Sequence, residues 1–159
     1  DIWAEYETVS KDHSWQLVIG GYGEDYEKVL AYAKSLKLSR CTFIGKVENP
    51  ITLYQRASIY MLTSHYEGYP MTILEAMQNG CVPIAYDTFT PIHDMIDDGQ
   101  SGVIIPPYRK KDYVNALLSL TENKERRIQM ANNAYHKVKQ DNSVETIGQQ
   151  WIQFFNHIF

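Results

Sequence analysis

The sequence has few cysteines, no excess of basic residues and no long apolar segment, and each shortage argues against a class of function. Its two cysteines, Cys41 and Cys81, lie far apart without metal-ligand spacing, so we expect reduced, buried thiols. The formal net charge is −4 and no long basic run occurs, which disfavours binding to a nucleic-acid backbone. No apolar run approaches the length of a membrane span, and no signal peptide is visible.

The remaining composition is typical of one soluble globular domain over residues 1–159. Hydrophobic residues make up 44% of the chain and charged residues 21%, which is ordinary for a domain with a substantial core. The sequence contains no internal repeat. It begins at Asp1 rather than Met, so we expect a fragment or a processed chain.

Short apolar runs alternate with longer amphipathic ones, which indicates an α/β fold. The pattern predicts strands over residues 15–19, 41–44, 59–62, 82–85 and 103–105. It predicts helices over 24–36, 50–56, 70–79, 111–120, 124–139 and 144–159, with a short helix or turn over 91–96. Residues 1–12 are typical of the end of a helix whose preceding strand is missing. Such alternation predicts a parallel sheet with helices on both faces, followed by C-terminal helices.

The most informative segment runs from Glu67 to Glu75, where two carboxylates frame a predicted helix start. Pro70 fits the first helical position because its missing N–H costs nothing there, and Gly68 permits a tight turn or a close approach to a ligand. Apolar neighbours surround Glu75, so its ionised carboxylate needs a hydrogen-bond donor, for which sugar or ribose hydroxyls are natural candidates. The alternative is a Glu on the one exposed stripe of an amphipathic helix.

Three loops with glycine or polar character follow the first three predicted strands. They cover residues 20–23, 45–47 and 64–68. Ligands of open parallel sheets bind beyond the carboxyl ends of the strands, where these loops meet. The sequence therefore predicts a ligand site at this edge.

These segments resemble the C-terminal half of a retaining, nucleotide-sugar-dependent glycosyltransferase of the GT-B, two-Rossmann-domain architecture, in the bacterial family 4 class. The motifs are LVIGGYG at 17–23, FIG at 43–45, EGYPMTILEAM at 67–77, GCVPIA at 80–85, DGQSG at 98–102 and the C-terminal helical run. The resemblance extends from Trp15 to the C-terminus, and its glutamate motif is specific in combination with the downstream glycines. It implies a Rossmann-like fold and one donor-binding domain over 1–159.

The resemblance also implies a role for each loop. Glu75 would hydrogen-bond the ribose hydroxyls of the donor, and Glu67, the catalytic residue, would position the transferred sugar. The other implied donor-binding residues are Gly20, Gly21 and Gly23 near the diphosphate, Lys46 and Val47 near the base, and Gly68, Tyr69, Pro70, Met71 and Thr72 at a helix N-terminus suited to sugar oxygens or phosphate. For Lys46, a solvated surface lysine is the alternative.

The sequence departs from the family pattern in three places. The cationic pair that clamps the diphosphate would precede Asp1, and the N-terminal acceptor domain is absent, so we expect half of an active site. Asp94 stands where the family often has a glutamate.

The implied reaction transfers a sugar from a UDP-sugar or GDP-sugar to an acceptor hydroxyl, with retained anomeric configuration. The acceptor, a glycan or a lipid-linked sugar of a bacterial surface polysaccharide, would be held by the missing domain. No metal or other cofactor is expected, because cationic side chains and helix dipoles offset the diphosphate charge. No histidine has zinc-ligand spacing, and Asp97-Asp98 is typical of a turn. We expect a cytoplasmic enzyme, with peripheral association at the inner face of the membrane left open.

Two alternative functions stay open. The first is a non-catalytic nucleotide-binding or interaction domain. Such a domain would not require the glutamate pair, and the pair is intact here. A sugar-nucleotide epimerase of the same architecture would convert its substrate without an acceptor.

Two further clusters are typical of surfaces. Aromatic residues of the last helix indicate a packing face: Trp151, Phe154, Phe155 and Phe159. The resemblance implies that this helix crosses back onto the other domain, so that without that domain it would leave an apolar surface liable to self-association. The basic run 109–111 is typical of a solvated helix start, with a membrane-facing patch as the alternative.

Overall fold

The computed structural model describes residues 1–158, and its elements follow the predicted strand–helix alternation. The strands are β1 (Leu17–Gly20), β2 (Cys41–Gly45), β3 (Ile59–Leu62), β4 (Val82–Tyr86) and β5 (Val103–Ile105). The helices are α1 (Ile2–Val9), α2 (Tyr26–Ser35), α3 (Ile51–Tyr54), α4 (Met71–Gln78), α5 (Ile92–Met95), α6 (Lys110–Glu122), α7 (Lys124–Asp141) and α8 (Val144–Ile158). The α/β fold class with parallel strands is confirmed.

The strands are divided between two parallel sheets, a division that the sequence analysis did not predict. β1 pairs in parallel with β2, and β3, β4 and β5 form a second parallel sheet in that order. In the part of the chain that the structure describes, β1 pairs only with β2, and β3 only with β4. Alternation along the sequence predicts parallel strands but not which edges hydrogen-bond, so the break between the sheets carried no sequence signal.

One apolar cluster nevertheless spans both sheets. Trp3 and Tyr6 of α1 pack with Val82 and Ile84 of β4, and Leu17 of β1 packs against the same cluster. Residues of α6 belong to this cluster as well. The two sheets therefore share a hydrophobic layer even though their edges do not pair.

The strand β4 is the centre of the core, because all five of its residues are buried. Val82, Ile84 and Tyr86 face the cluster with α1 and α6, whereas Ala85 faces a second cluster formed by α4, α5 and α7. This alternation puts helices on both sides of the three-stranded sheet, as the sequence predicts.

Several local predictions need correction. Pro70 is not the first helical residue: its ψ of 93° is extended, and α4 begins at Met71. Cys41 is only partly buried, although Cys81 is fully buried, and both thiols are free. Burial raises the pKa of the Cys81 thiol to about 11. The turn expected after Asp98 is present, with Gly99 at a φ of +73°.

The helix α8 contacts α7 but carries no buried residue. The Trp151 and Phe155 rings stack, and Phe154 packs edge-on against both. All three side chains remain about half exposed, so the predicted packing face is an open surface here. Phe159, the fourth predicted member, lies outside the described residues. No helix within residues 1–158 combines the length and apolarity that a membrane crossing requires.

The basic start of α6 is exposed, as predicted. Arg109 pairs with Asp112 and Lys110 with Glu5, each at 3.0 Å. Such exposed pairs contribute little to stability.

The close packing of Gly102 against β4 gives a test of this core. A Cβ atom on Gly102 would lie 2.9 Å from the Pro83 carbonyl oxygen and 2.9 Å from Ile96 Cγ2. Because the carbonyl belongs to the buried central strand, we expect Gly102→Ala to lower the free energy of unfolding by about 1–3 kcal/mol in urea denaturation. In α8, Gly148→Ala is the control, since its Cβ would meet nothing within 4 Å and alanine favours a helix. Equal stability of the two variants would contradict this packing.

Candidate functional site

Apart from the exposed Met71 at its start, the helix α4 carries its apolar residues on the buried side and Glu75 on the open side. Ile73, Leu74 and Met77 are 0–5% exposed, whereas Glu75 is only partly buried. Glu67 precedes the helix, in the loop that follows β3, and is also partly buried. The apolar neighbours of Glu75 in the sequence are therefore the residues that α4 buries.

The Glu75 carboxylate has a hydrogen-bond donor inside the chain. Tyr54, the last residue of α3, donates from Oη to Glu75 Oε2 at 3.3 Å. Burial raises the pKa of Tyr54 well above its ordinary range, so the phenol stays protonated and can donate. Tyr60 packs edge-to-face on Tyr54 and donates to Thr72 Oγ1 at 2.9 Å.

Sequence reasoning missed both tyrosines. Tyr54 lies 21 positions before Glu75, and nothing distinguishes it among the 12 tyrosines of the chain. The only available signal was its place at the end of the helix that follows the loop 45–47. That position can be interpreted only once the structure shows which loops meet at the edge of the sheet.

The N-terminus of α4 has backbone donors without a backbone acceptor among the described residues. Ile73 N donates to Pro70 O at 3.0 Å, and none of the described backbone carbonyls accepts from the N–H of Met71 or Thr72. Tyr69 and Met71 are exposed, whereas Pro70 is buried. The helix dipole makes such a terminus favourable for negative charge.

The two glycine loops lie against each other. Gly21 N donates to Gly45 O at 2.8 Å, and a Cβ on Gly20 would lie only 2.5 Å from Val47 Cγ2, so a larger residue here would displace the Val47 side chain. Lys46 is exposed, with Nζ 5.6 Å from the centre of the Tyr22 ring. The sequence-predicted segments 20–23 and 45–47 are therefore brought together, and Gly23 adopts a φ of +135° that favours glycine.

The two glutamates do not line the same cavity. Glu67 and Gly68 line a cavity of about 640 Å³ beside the loop that follows β4. Glu75, Tyr69 and Met71 line a second cavity of about 730 Å³, closed on its far side by α7 and the start of α8. The structure thus gives the two carboxylates different surroundings.

The cavity at Glu67 contains a histidine–aspartate hydrogen bond that the sequence did not indicate. His93 Nε2 lies 3.0 Å from Asp87 Oδ1, and both residues line this cavity. Asp87 directly follows β4, so the rule that ligands bind beyond strand ends could have identified it. Asp94, the residue at the family's glutamate position, is exposed on α5.

The acidic residues do not gather into a metal centre. Across positions 1–158, no three His, Cys, Asp or Glu side chains are arranged as a metal ion would require. The carboxylates of Asp97 and Asp98 have partners outside their turn. Asp97 Oδ1 lies 3.2 Å from Lys137 Nζ, and Asp98 Oδ1 accepts from the Ile104 N–H of β5 at 2.8 Å.

Comparison with known sequences identifies relatives along most of the chain. The profile described as "Glycosyl transferases group 1" matches residues 5–137. The poly(glycerol-phosphate) alpha-glucosyltransferase of Bacillus subtilis is 34% identical over 106 residues, covering 66% of this chain and 16% of that protein. The lipopolysaccharide 1,6-galactosyltransferase of Salmonella typhimurium is 37% identical over 108 residues, covering 65% and 30%. The chain therefore spans less than a third of either relative.

Solved structures show the same fold. The Staphylococcus aureus protein TarM superposes with a TM-score of 0.85 at 24% identity, covering 98% of this chain and 31% of TarM. Anabaena HepE, solved with UDP and glucose, superposes with a TM-score of 0.83 at 22% identity, covering 98% and 43%. These likenesses establish the Rossmann-like GT-B fold. Because the profile covers most of its length, the chain belongs to the group 1 glycosyl transferases.

Proposed function

We propose that this chain is the donor-binding half of a retaining glycosyltransferase that uses a nucleoside-diphosphate sugar. The observation that carries the proposal is the start of α4. There, Glu67, open backbone N–H groups and Glu75 follow one another at the carboxyl edge of parallel strands. Carboxylates accept from hydroxyls and helix N-termini attract phosphate, so this combination suits a nucleotide sugar.

Each predicted site residue has a role in this proposal. Glu75 accepts from the ribose hydroxyls, and Glu67 positions the transferred sugar in the cavity with Asp87 and His93. The remaining donor contacts are with the diphosphate near Gly20, Gly21 and Gly23, with the base near Lys46 and Val47, and with sugar oxygens or phosphate near Gly68, Tyr69, Pro70, Met71 and Thr72. No metal has a part in the proposed reaction, because cationic groups and the dipole of α4 offset the diphosphate charge.

The names of relatives support a UDP-sugar as the donor and an alpha configuration in the product. HepE has been solved with UDP-glucose, which makes a UDP-sugar the first donor to test. The relatives include an alpha-glucosyltransferase and an alpha-N-acetylglucosaminyltransferase of poly-alditol phosphates. We infer that the full-length enzyme makes a bacterial surface polymer in the cytoplasm, at the inner face of the membrane if its acceptor is lipid-linked.

The 159-residue chain should bind UDP weakly and transfer no sugar. We expect titration with UDP, GDP and ADP to shift backbone amide resonances near Gly20, Gly45 and Glu75, most strongly with UDP. Glu75→Ala should weaken UDP binding about tenfold or more, because hydrogen bonds to a charged group contribute about 1.5–3 kcal/mol. Glu122→Ala is the control, since Glu122 is exposed at the far end of α6. Amide shifts confined to other regions, or unchanged UDP affinity in Glu75→Ala, would contradict the proposal.

In the full-length enzyme, the two glutamates should affect different steps. Glu67→Ala should lower kcat for sugar transfer while leaving the dissociation constant for UDP nearly unchanged, because Glu67 faces the sugar rather than the ribose. Glu75→Ala is the matched comparison and should weaken UDP binding. Steady-state kinetics and calorimetry separate the two effects. Equal losses of transfer and of UDP binding in Glu67→Ala would show that the roles are not separate.

A further inference from the structure

The hydrogen bond from Tyr54 is the one side-chain hydrogen bond to the Glu75 carboxylate found within residues 1–158. It reaches Oε2 only, so Oε1 and a lone pair of Oε2 stay open to a ligand. A carboxylate on a three-bond side chain can otherwise adopt several rotamers. The bond therefore restricts the directions in which Glu75 presents its oxygens.

Tyr54 is itself held in place from three sides. The residue is 9% exposed and packs in a small cluster with Ala76 and Cys81. Cys81 Sγ donates to the Tyr54 carbonyl oxygen at 3.2 Å, and the Tyr60 ring packs edge-to-face at a centroid distance of 5.9 Å. Because the backbone and the ring of Tyr54 are both fixed, its hydroxyl is a rigid donor rather than an adaptable one.

The protonation state of the Tyr54 phenol supports the same conclusion. The phenol of Tyr54 stays protonated, since burial and the nearby Tyr60 and Glu75 raise its pKa. A protonated phenol donates to the carboxylate and does not compete with a ligand for its acceptor sites. Vicinal ribose hydroxyls are donors, and two of them match the acceptor capacity that Glu75 retains.

We propose that Tyr54 is a positioning residue that orients Glu75 for the two ribose hydroxyls and thereby sets the preference for ribonucleotides over deoxyribonucleotides. The inference rests on the proposed donor-binding function. It adds a residue from α3, outside the glutamate motif, to the determinants of specificity. A purely structural tyrosine would affect stability but not this preference.

The test compares UDP with 2′,3′-dideoxy-UDP, which lacks both hydroxyls, by calorimetry or amide-shift titration of the chain. Tyr54→Phe keeps the packed ring and removes only the donor. We expect about three- to tenfold weaker UDP binding and unchanged dideoxy-UDP binding, so the ratio of the two affinities falls. Replacing Tyr54 with p-aminophenylalanine, which restores an N–H donor, should recover most of the ratio.

Tyr32→Phe is the matched control, because Tyr32 also donates to a carboxylate, at 2.7 Å from Asp1 Oδ1, on the exposed face of α2. It should leave the ratio unchanged. Thermal unfolding of each variant confirms that the fold persists.

The outcomes separate the inference from the proposed function. If Glu75→Ala abolishes the preference for UDP while Tyr54→Phe retains it, the role of Tyr54 is wrong and the ribose role of Glu75 stands. If Glu75→Ala retains the preference, the ribose role itself is wrong. If the parent chain binds neither nucleotide or does not distinguish them, both proposals are contradicted. Equal weakening of both ligands by Tyr54→Phe would indicate a structural role only.

Discussion

The packing of α4 on the three-stranded sheet is the constraint on which the rest of the site depends. Ile73, Leu74 and Met77 are almost completely buried, and each such side chain stabilises the fold by roughly 1.5–3 kcal/mol. A rotation of α4 by one residue, about 100°, would bury Glu75 and expose Leu74. The apolar face therefore holds the carboxylate on the open side. The same packing orients the first amides of the helix toward the carboxyl edge of the strands.

A second consequence is the division of the site between two cavities. Glu67 lines a cavity with Asp87 and His93, and Glu75 lines a cavity bordered by α7 and α8. A nucleotide sugar is long enough to need distinct surroundings for its sugar and its ribose. The division thus accords with two roles for two carboxylates of the same motif. It also means that neither glutamate can be understood from the motif alone.

The sequence predicted most of the fold because its signals are local. The runs at 59–62 and 103–105 became strands at the predicted positions, since short apolar runs flanked by polar residues have few other solutions. The break between β1 and β3 was not predictable, because hydrogen bonding between strand edges depends on tertiary arrangement. The predicted start of α4 at Pro70 was one residue too early, because the backbone at Pro70 is extended rather than helical.

The candidate site was predictable only where one segment holds it. The stretch from Glu67 to Glu75 is contiguous, so its glycine, proline and carboxylates could be interpreted together. The contact of Tyr54 with Glu75 joins the end of α3 to α4, and the two residues lie 21 positions apart in the sequence. Such a contact depends on the relative placement of α3 and α4, which no single stretch of sequence specifies.

The most direct measurement of the central claim is a crystal structure of the chain with UDP bound. The account predicts both ribose hydroxyls within hydrogen-bond distance of the Glu75 carboxylate, with the Tyr54 hydroxyl still bonded to Oε2. The uracil should lie beside residues 45–47. A nucleotide bound with its ribose remote from Glu75, or in the cavity of Asp87 and His93, would contradict the account.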